Sequence, residues 1–237
     1  MRSFIFVFNI LFIGYSYALP VPAIINAKKQ AEMASPMSGI IINTSFREGQ
    51  TFTKSQKLII FKCNKQLSEQ DREKAVVDKK ITIYQGYKRL KALKAISKIE
   101  VMEAKADYLE AKAQWEIASY NVNDCTVKAP FDGQIIKLYV HEHEHIDVGK
   151  PLLDIVSFDA LEIKIIAPST WLSWIKKGMS FKIDVQETGL MYEASVLRFN
   201  HYIDPVSRTF SIFAKFIKQP QGVFPGMSGQ AIFKEAL

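Results

Sequence analysis

Apolar and polar positions alternate in short runs over residues 35–61, take on a helical period over 64–123, and return to short runs from 124 to 233. The first and third patterns are related. A constant shift of 94 aligns residues 35–61 with 129–155 without a gap, and Pro36 meets Pro130, Gly39 meets Gly133, Ile41 and Ile42 meet Ile135 and Ile136, Glu48 meets Glu142, and Leu58 meets Leu152. Phe46/Val140, Phe52/Ile146, Ile59/Leu153 and Phe61/Ile155 keep apolar character in the same register. Each copy reads as short strands separated by turns. A unit this small cannot bury its apolar face alone, so the two copies are expected to close on each other. Two turn positions depart from the repeat: His143 stands where the first copy has Gly49, and Ser55 where the second has Gly149.

Between the copies, Asn64–Asn123 is rich in Ala, Lys, Glu and Leu, with no Pro and with Gly86 as its one Gly, which is helix composition. Ile99, Met102, Ala106, Leu109, Ala113 and Tyr120 recur at three- and four-residue steps, interrupted only by Glu116, and are expected to form a coiled-coil seam. Ser97 with Glu100 predicts a capping box at the start of that helix, and Ser68 with Asp71 a similar start for the helix before it. The earlier helix carries Val76, Ile83 and Leu90 at seven-residue spacing, with Tyr87 beside them. A short connection near residues 93–97 makes the pair an antiparallel hairpin about 40 Å long at 1.5 Å per residue.

Beyond the second copy, Leu161–Ala167, Ser180–Val185, Glu193–Phe199, Arg208–Phe216 and Ser228–Phe233 read as strands, with a short helical piece over Ser169–Lys177. That count of short strands predicts a small closed barrel. The fold class expected is therefore α+β, mostly β.

The Pro-x-x-Gly start, the Glu-containing turn and the apolar finish of each copy resemble the two halves of a biotinyl/lipoyl-type sandwich. A sandwich split by a long helical hairpin resembles the periplasmic adaptor (membrane fusion) proteins of Gram-negative efflux pumps and secretion systems, over roughly residues 31–233. The phrase Asp204-Pro205-Val206-Ser207-Arg208-Thr209, followed by Pro225-Gly226-Met227, resembles the family's barrel signature. The resemblance implies a signal peptide over 1–18, a tether over 19–34, half-sandwiches over 35–63 and 124–158, the hairpin over 64–123, and the barrel over 159–237. It implies a periplasmic protein associated with the inner membrane, assembled as a ring of copies between an inner-membrane transporter and an outer-membrane channel. In the family an Arg, a Leu and a Ser of the hairpin tip meet the channel. Leu90 and Ser97 match, while the Arg position falls on Gly86 with Arg89 one turn later. The tip expected to meet a partner comprises Lys88, Arg89, Leu90, Leu93, Ile96 and Ser97. The chain ends directly after its last strand, so an adaptor without the membrane-proximal domain is expected.

Composition changes this picture little. A chain of 237 residues can bury a real core. The net charge of +7 does not point to nucleic acid, because Lys and Arg are interleaved with Asp and Glu rather than gathered in a block. Arg2, the apolar run Phe4–Ile13 and the small residues up to Ala18 predict export, with cleavage after Ala18 or retention as an anchor. No Cys follows that run, so lipid attachment is not expected. Cys63 enters the hairpin and Cys125 leaves it; in an oxidising compartment they form either a disulfide or two buried thiols. His141, His143 and His145 would share one face of a strand and could ligate zinc or copper, but they align with an exposed turn, so no metal is favoured. His201 near Asp204 is the nearest thing to a catalytic pair, and no enzyme or cofactor is expected. Two other readings are a metal-binding or scaffold protein with this fold and no pump, and a biotin or lipoyl carrier. The carrier would need an exposed hairpin Lys, and Lys65, between Asn64 and Gln66, sits near that place.

Overall fold

The structure, a computed structural model, describes residues 19–233; the expected signal peptide over 1–18 lies outside them. It divides into two compact bodies, one over residues 29–157 and one combining the strand before it with residues 158–233.

The first body is a sandwich with a helical hairpin. Its strands are β2 (Gln30–Ala34), β3 (Gly39–Thr44), β4 (Thr51–Phe52), β5 (Lys57–Phe61), β6 (Thr126–Lys128), β7 (Gly133–Leu138), β8 (His145–Ile146) and β9 (Pro151–Val156). They form two four-stranded sheets, ordered β2-β9-β7-β4 and β6-β5-β3-β8. The shift of 94 carries one order onto the other, so the repeat is a two-fold relation in space. Each sheet mixes strands of both copies: β4 pairs with β7, and β8 with β3. The cross-copy hydrogen bonds obey the same relation. Glu48 Oε1 accepts from Leu138 N at 3.0 Å, and Glu142 Oε1 accepts from Thr44 N at 3.1 Å. Gly49 N donates to Ile135 O, and His143 N to Ile41 O, both at 2.8 Å. Ile41, Leu58, Ile59, Phe61, Ile135, Leu152, Leu153 and Ile155 fill the space between the sheets.

The departures from the repeat keep the turn geometry. Gly49 and His143 have φ of 82° and 69°, and Ser55 and Gly149 have 66° and 80°. All four positions are left-handed, although two of them carry side chains. Gly133 is required for a different reason: a Cβ there would stand 2.2 Å from Val156 O on the neighbouring strand.

The hairpin consists of α1 (Asn64–Ala92) and α2 (Lys98–Asn123). Helix α1 begins four residues before the expected Ser68. The chain passes directly from β5 into the helix, and Ser68 Oγ donates back to Asn64 O inside the first turn. The seam also differs from expectation. The buried face of α2 is Ala104, Ala111 and Ala118, flanked by the half-buried Val101, Tyr108, Trp115 and Val122. It meets Val77, Tyr84 and Gln70 of α1, with Tyr84 stacked on Tyr108 and Gln70 donating to Ser119. Ile99, Met102, Ala106, Leu109, Ala113 and Tyr120 lie on the other side of α2, exposed. Both faces of α2 share the heptad period, and the alanine face wins because small side chains let two helix axes approach closely. Among the described residues, no helix is long and apolar enough to cross a membrane.

The second body is a closed barrel of β1 (Leu19–Ala27), β10 (Leu161–Pro168), β11 (Ser180–Val185), β12 (Leu190–Phe199), β13 (Thr209–Phe216) and β14 (Ser228–Phe233), in the order β1-β10-β13-β12-β11-β14. The segment read as a tether thus supplies a barrel strand, β1, and a sandwich strand, β2. Val21, Ala23 and Ile25 alternate into the barrel core, and Ala31 and Met33 pack on the sandwich core. Pro20 and Pro22 are accommodated because Leu19–Pro22 pairs only with β14, while β10 pairs from Ala23 onward. The helical piece is a single 3-10 turn, Ser169–Ser173, shorter than the expected Ser169–Lys177. Its Trp171 packs edge-on to Phe233, itself stacked on Phe181 at 4.4 Å, so the turn plugs one end of the barrel.

Candidate functional site at the hairpin tip

Helix α1 stops in a Schellman arrangement. Ala95 N donates to Leu90 O at 3.0 Å, Lys94 N donates to Lys91 O at 2.9 Å, and Lys94 takes φ of 58°. Glycine usually occupies that position; a lysine here places a cation at the outermost point of the turn. Three residues on, Ser97 Oγ accepts from Glu100 N, and the Glu100 carboxylate accepts from Ser97 N at 2.7 Å, closing the capping box. The backbone N–H of Ser97 and then its hydroxyl hold the Glu100 carboxyl below its ordinary range. Two complementary terminators leave little freedom in the four residues between them.

The structure brings all six expected tip residues to this end of the hairpin. Leu93 stands 76% exposed at the apex, Leu90 40% exposed below it, and Ile96 is half-buried. Lys88 lies with Nζ 5.7 Å from the Tyr84 ring centroid, and Arg89 is in the last turn of α1. Ser97 has a structural duty as a cap. Sequence reasoning passed over Lys91, Lys94 and Lys98. With Lys88 and Arg89 they make the tip strongly cationic: no Asp or Glu occurs from Lys79 to Ile99, and the Glu100 carboxylate is engaged in the capping box. Counting charges along 79–99 would have found this; the left-handed Lys94 carries no sequence signal. An exposed leucine ringed by cations suits an apolar socket with an acidic rim.

At the other end of the hairpin, Cys63 and Cys125 are joined as a disulfide with their Cα atoms 6.0 Å apart, within the sandwich core. Lys65 lies in the first turn of α1 rather than on a β-turn, which gives a carrier reading no prosthetic-group position. The three turn histidines diverge. His141 lies 3.7 Å from Glu144, His145 Nε2 is 3.3 Å from Ser38 Oγ, and His143 occupies the left-handed turn position. Among the described residues, no three His, Cys, Asp or Glu side chains gather as a metal site. His201 lies against the Phe199 ring at 5.4 Å. The Asp204 carboxylate is occupied by Val206 N, Ser207 N and Ser207 Oγ, which hold its pKa below the ordinary value, the Ser207 N–H most of all. The Asp204 carboxylate is thus committed to its own turn.

No family model matches the chain. It is 28% identical over 164 residues to the multidrug resistance protein MexA of Pseudomonas aeruginosa, an alignment covering 68% of this chain and 42% of MexA. It is 24% identical over 234 residues to SrpA of Pseudomonas putida, the periplasmic linker of a solvent efflux pump, covering 92% of this chain and 61% of SrpA. The chain therefore spans about two-fifths to three-fifths of the length of these relatives. Among solved structures, a MacA–MexA chimera carrying the Pseudomonas aeruginosa MexA α-hairpin domain superposes with a TM-score of 0.81 at 19% identity, over 93% of this chain and 82% of the chimera. The chain is thus similar in sequence to the periplasmic linkers of efflux pumps and shares the split-sandwich, hairpin and barrel fold of the MacA–MexA chimera, as the resemblance to periplasmic adaptor, or membrane fusion, proteins led one to expect.

Proposed function

We propose that this chain is a non-enzymatic periplasmic adaptor of a tripartite efflux pump or secretion system. It bridges an inner-membrane transporter and an outer-membrane channel, and its hairpin tip is the channel contact. The observation that carries this reading is the tip itself: an apex leucine 76% exposed, held between two rigid helix terminators and ringed by cations, at the end of a projection about 40 Å long. An exposed apolar side chain on an immobilised turn loses little entropy on docking. The kinship with linkers of named efflux pumps supports the same role.

A photoreactive residue in place of Leu93, introduced in cells, tests it. Adducts with an outer-membrane channel protein are expected from Leu93 and not from Leu67, an exposed leucine near the hairpin base. Identical adducts from both sites, or none from Leu93 in a strain whose efflux depends on this protein, would refute the contact.

A further inference from the structure

The end of the barrel that the Trp171 turn plugs carries exposed apolar side chains. Pro168 of β10 and Thr209 of β13 are paired at that end, and Ser169 N donates to Arg208 O at 2.9 Å, so the 3-10 turn and the β12–β13 connection over 200–208 lie side by side. Val206 is 92% exposed at the apex of the connection, with Tyr202 and Ile203 exposed beside it and Leu172 exposed on the turn. Hydrogen bonds fix the apex. The Asp204 carboxylate accepts from Val206 N, Ser207 N and Ser207 Oγ, and Ser207 Oγ lies 2.8 Å from Thr209 Oγ1. An aliphatic side chain held outward on such a turn has no packing duty in the barrel core. The charged groups around it are Lys176, Lys177 and Arg208, all exposed, with His201 beside them. Asp204 is the one acid among them, and its carboxylate is committed to the turn.

We propose that this end of the barrel docks on an anionic phospholipid surface, with Val206, Ile203 and Tyr202 entering the headgroup layer and Lys176, Lys177 and Arg208 meeting lipid phosphates. Three observations select a bilayer as the occupant. The first is the path of the chain. Strand β1 starts here, with Leu19 paired to Phe233, the residue on which Trp171 packs, so the chain that carries the apolar run Phe4–Ile13 enters the barrel at this end. The second is chemistry. Aliphatic groups at an apex gain by entering the acyl boundary, a tyrosine at their flank suits a layer that is apolar on one side and wet on the other, and cations behind them reach phosphates. The third is asymmetry of charge. The other end of the barrel mixes signs, Lys28 and Lys218 with Asp159 and Glu187, whereas this end is cationic. The contact goes beyond the bridging role proposed above, since it requires neither a transporter nor a channel.

The test uses the chain from Leu19, the form that cleavage after Ala18 leaves. It keeps every described strand and helix and lacks the apolar run, so vesicle binding reports the folded bodies alone. Sedimentation is compared between vesicles of phosphatidylcholine and vesicles in which about one-third of the lipid is phosphatidylglycerol. Binding is expected to the anionic vesicles and should weaken as salt is added. Val206→Asp should weaken it about tenfold, and so should Lys176→Gln combined with Lys177→Gln, with circular dichroism unchanged. Leu190→Asp, on an exposed residue at the other end of the barrel, should leave binding unchanged. Because the two native cysteines are bridged, a polarity-sensitive dye on Val206→Cys reports that site alone. Its emission should shift to the blue on anionic vesicles, and that of a dye on Leu190→Cys should not. Binding indifferent to Val206→Asp, or a dye at 206 that stays in water on bound protein, would overturn the proposal. So would absence of binding to anionic vesicles, and a photoreactive residue at 206 that then captured a protein in cells would mark the surface as a protein contact. None of these results bears on the channel contact, which is read at Leu93.

Discussion

Removing the disulfide at the base of the hairpin perturbs one well-defined constraint. Cys63 and Cys125 are 62 residues apart in sequence, and their bridge closes a loop containing the whole hairpin. In the chain-entropy treatment, a loop of that length removes enough freedom from the unfolded chain to stabilise the folded state by about 4 kcal/mol. The body it belongs to runs from Lys29 to Ser157. At roughly 2 cal/mol/K of unfolding entropy per residue, 4 kcal/mol corresponds to a Tm lowered by roughly 15 °C. The double variant Cys63→Ala, Cys125→Ala should show that drop by circular dichroism at 222 nm, which follows the hairpin. The untreated protein should show the same drop when scanned in reductant. The double variant and the reduced protein should both still fold, because Phe61, Leu58, Ile135 and Leu152 hold the sandwich without the bridge. A loss under about a quarter of that size would refute the entropic account. Two free thiols titrating in the denatured, exported protein would remove its premise.

Gly133→Ala should destabilise by about 1–3 kcal/mol or prevent folding, since its Cβ would meet Val156 O; the symmetry mate Gly39→Ala, facing side chains rather than backbone (Met37 at 3.3 Å and Phe61 at 3.6 Å), should cost far less in denaturant titrations. Lys94→Val should lower hairpin stability by about 1 kcal/mol relative to Lys94→Gly, because a β-branched residue resists the left-handed conformation that glycine accepts. Glu100 has a depressed pKa, so its capping contribution is fully present above the ordinary carboxylate range and is lost as pH falls through the lower native value. Hydrogen exchange at the Ser97 amide should therefore accelerate on acidification beyond its intrinsic pH trend, and Glu100→Gln should flatten that excess. Glu48→Ala and Glu142→Ala should cost similar amounts, about 1 kcal/mol each, because the two carboxylates make equivalent cross-copy bonds.

The sandwich was legible because its repeat is written in residues that geometry constrains: Gly133 against a backbone carbonyl, Glu48 and Glu142 across the two-fold, and paired core positions. The repeat reaches further than its identities. Residues 30–34 (β2) and 124–128, which contain β6, are equivalent segments, yet only Ala31/Cys125 and Met33/Val127 keep apolar character there, too little to separate strand from tether. Prolines at 20 and 22 hid β1, because a strand paired on one side over part of its length tolerates what a central strand does not. The seam was misplaced for a different reason. Periodicity locates a face but does not say what covers it, and the bulkier stripe of α2 drew the assignment away from its alanines. The tip residues were legible as a group, and the cap at Ser97 individually. The lysine that turns the chain at 94 was not, because its left-handed conformation is imposed by the two helices it joins.

Because the repeat is interdigitated, the strands leaving and re-entering the sandwich end at one fixed point, where Cys63 and Cys125 meet. Everything between them hangs from that point and contributes no strand to either sheet. Hairpin length is thus independent of the rest of the molecule: deleting one heptad from each helix at matched heights would shorten the reach by about 10 Å while leaving both the apex and the clasp untouched. The hairpin is in effect a projection of adjustable length, whose span can drift in evolution, or be set by design, without renegotiating the sandwich that anchors it.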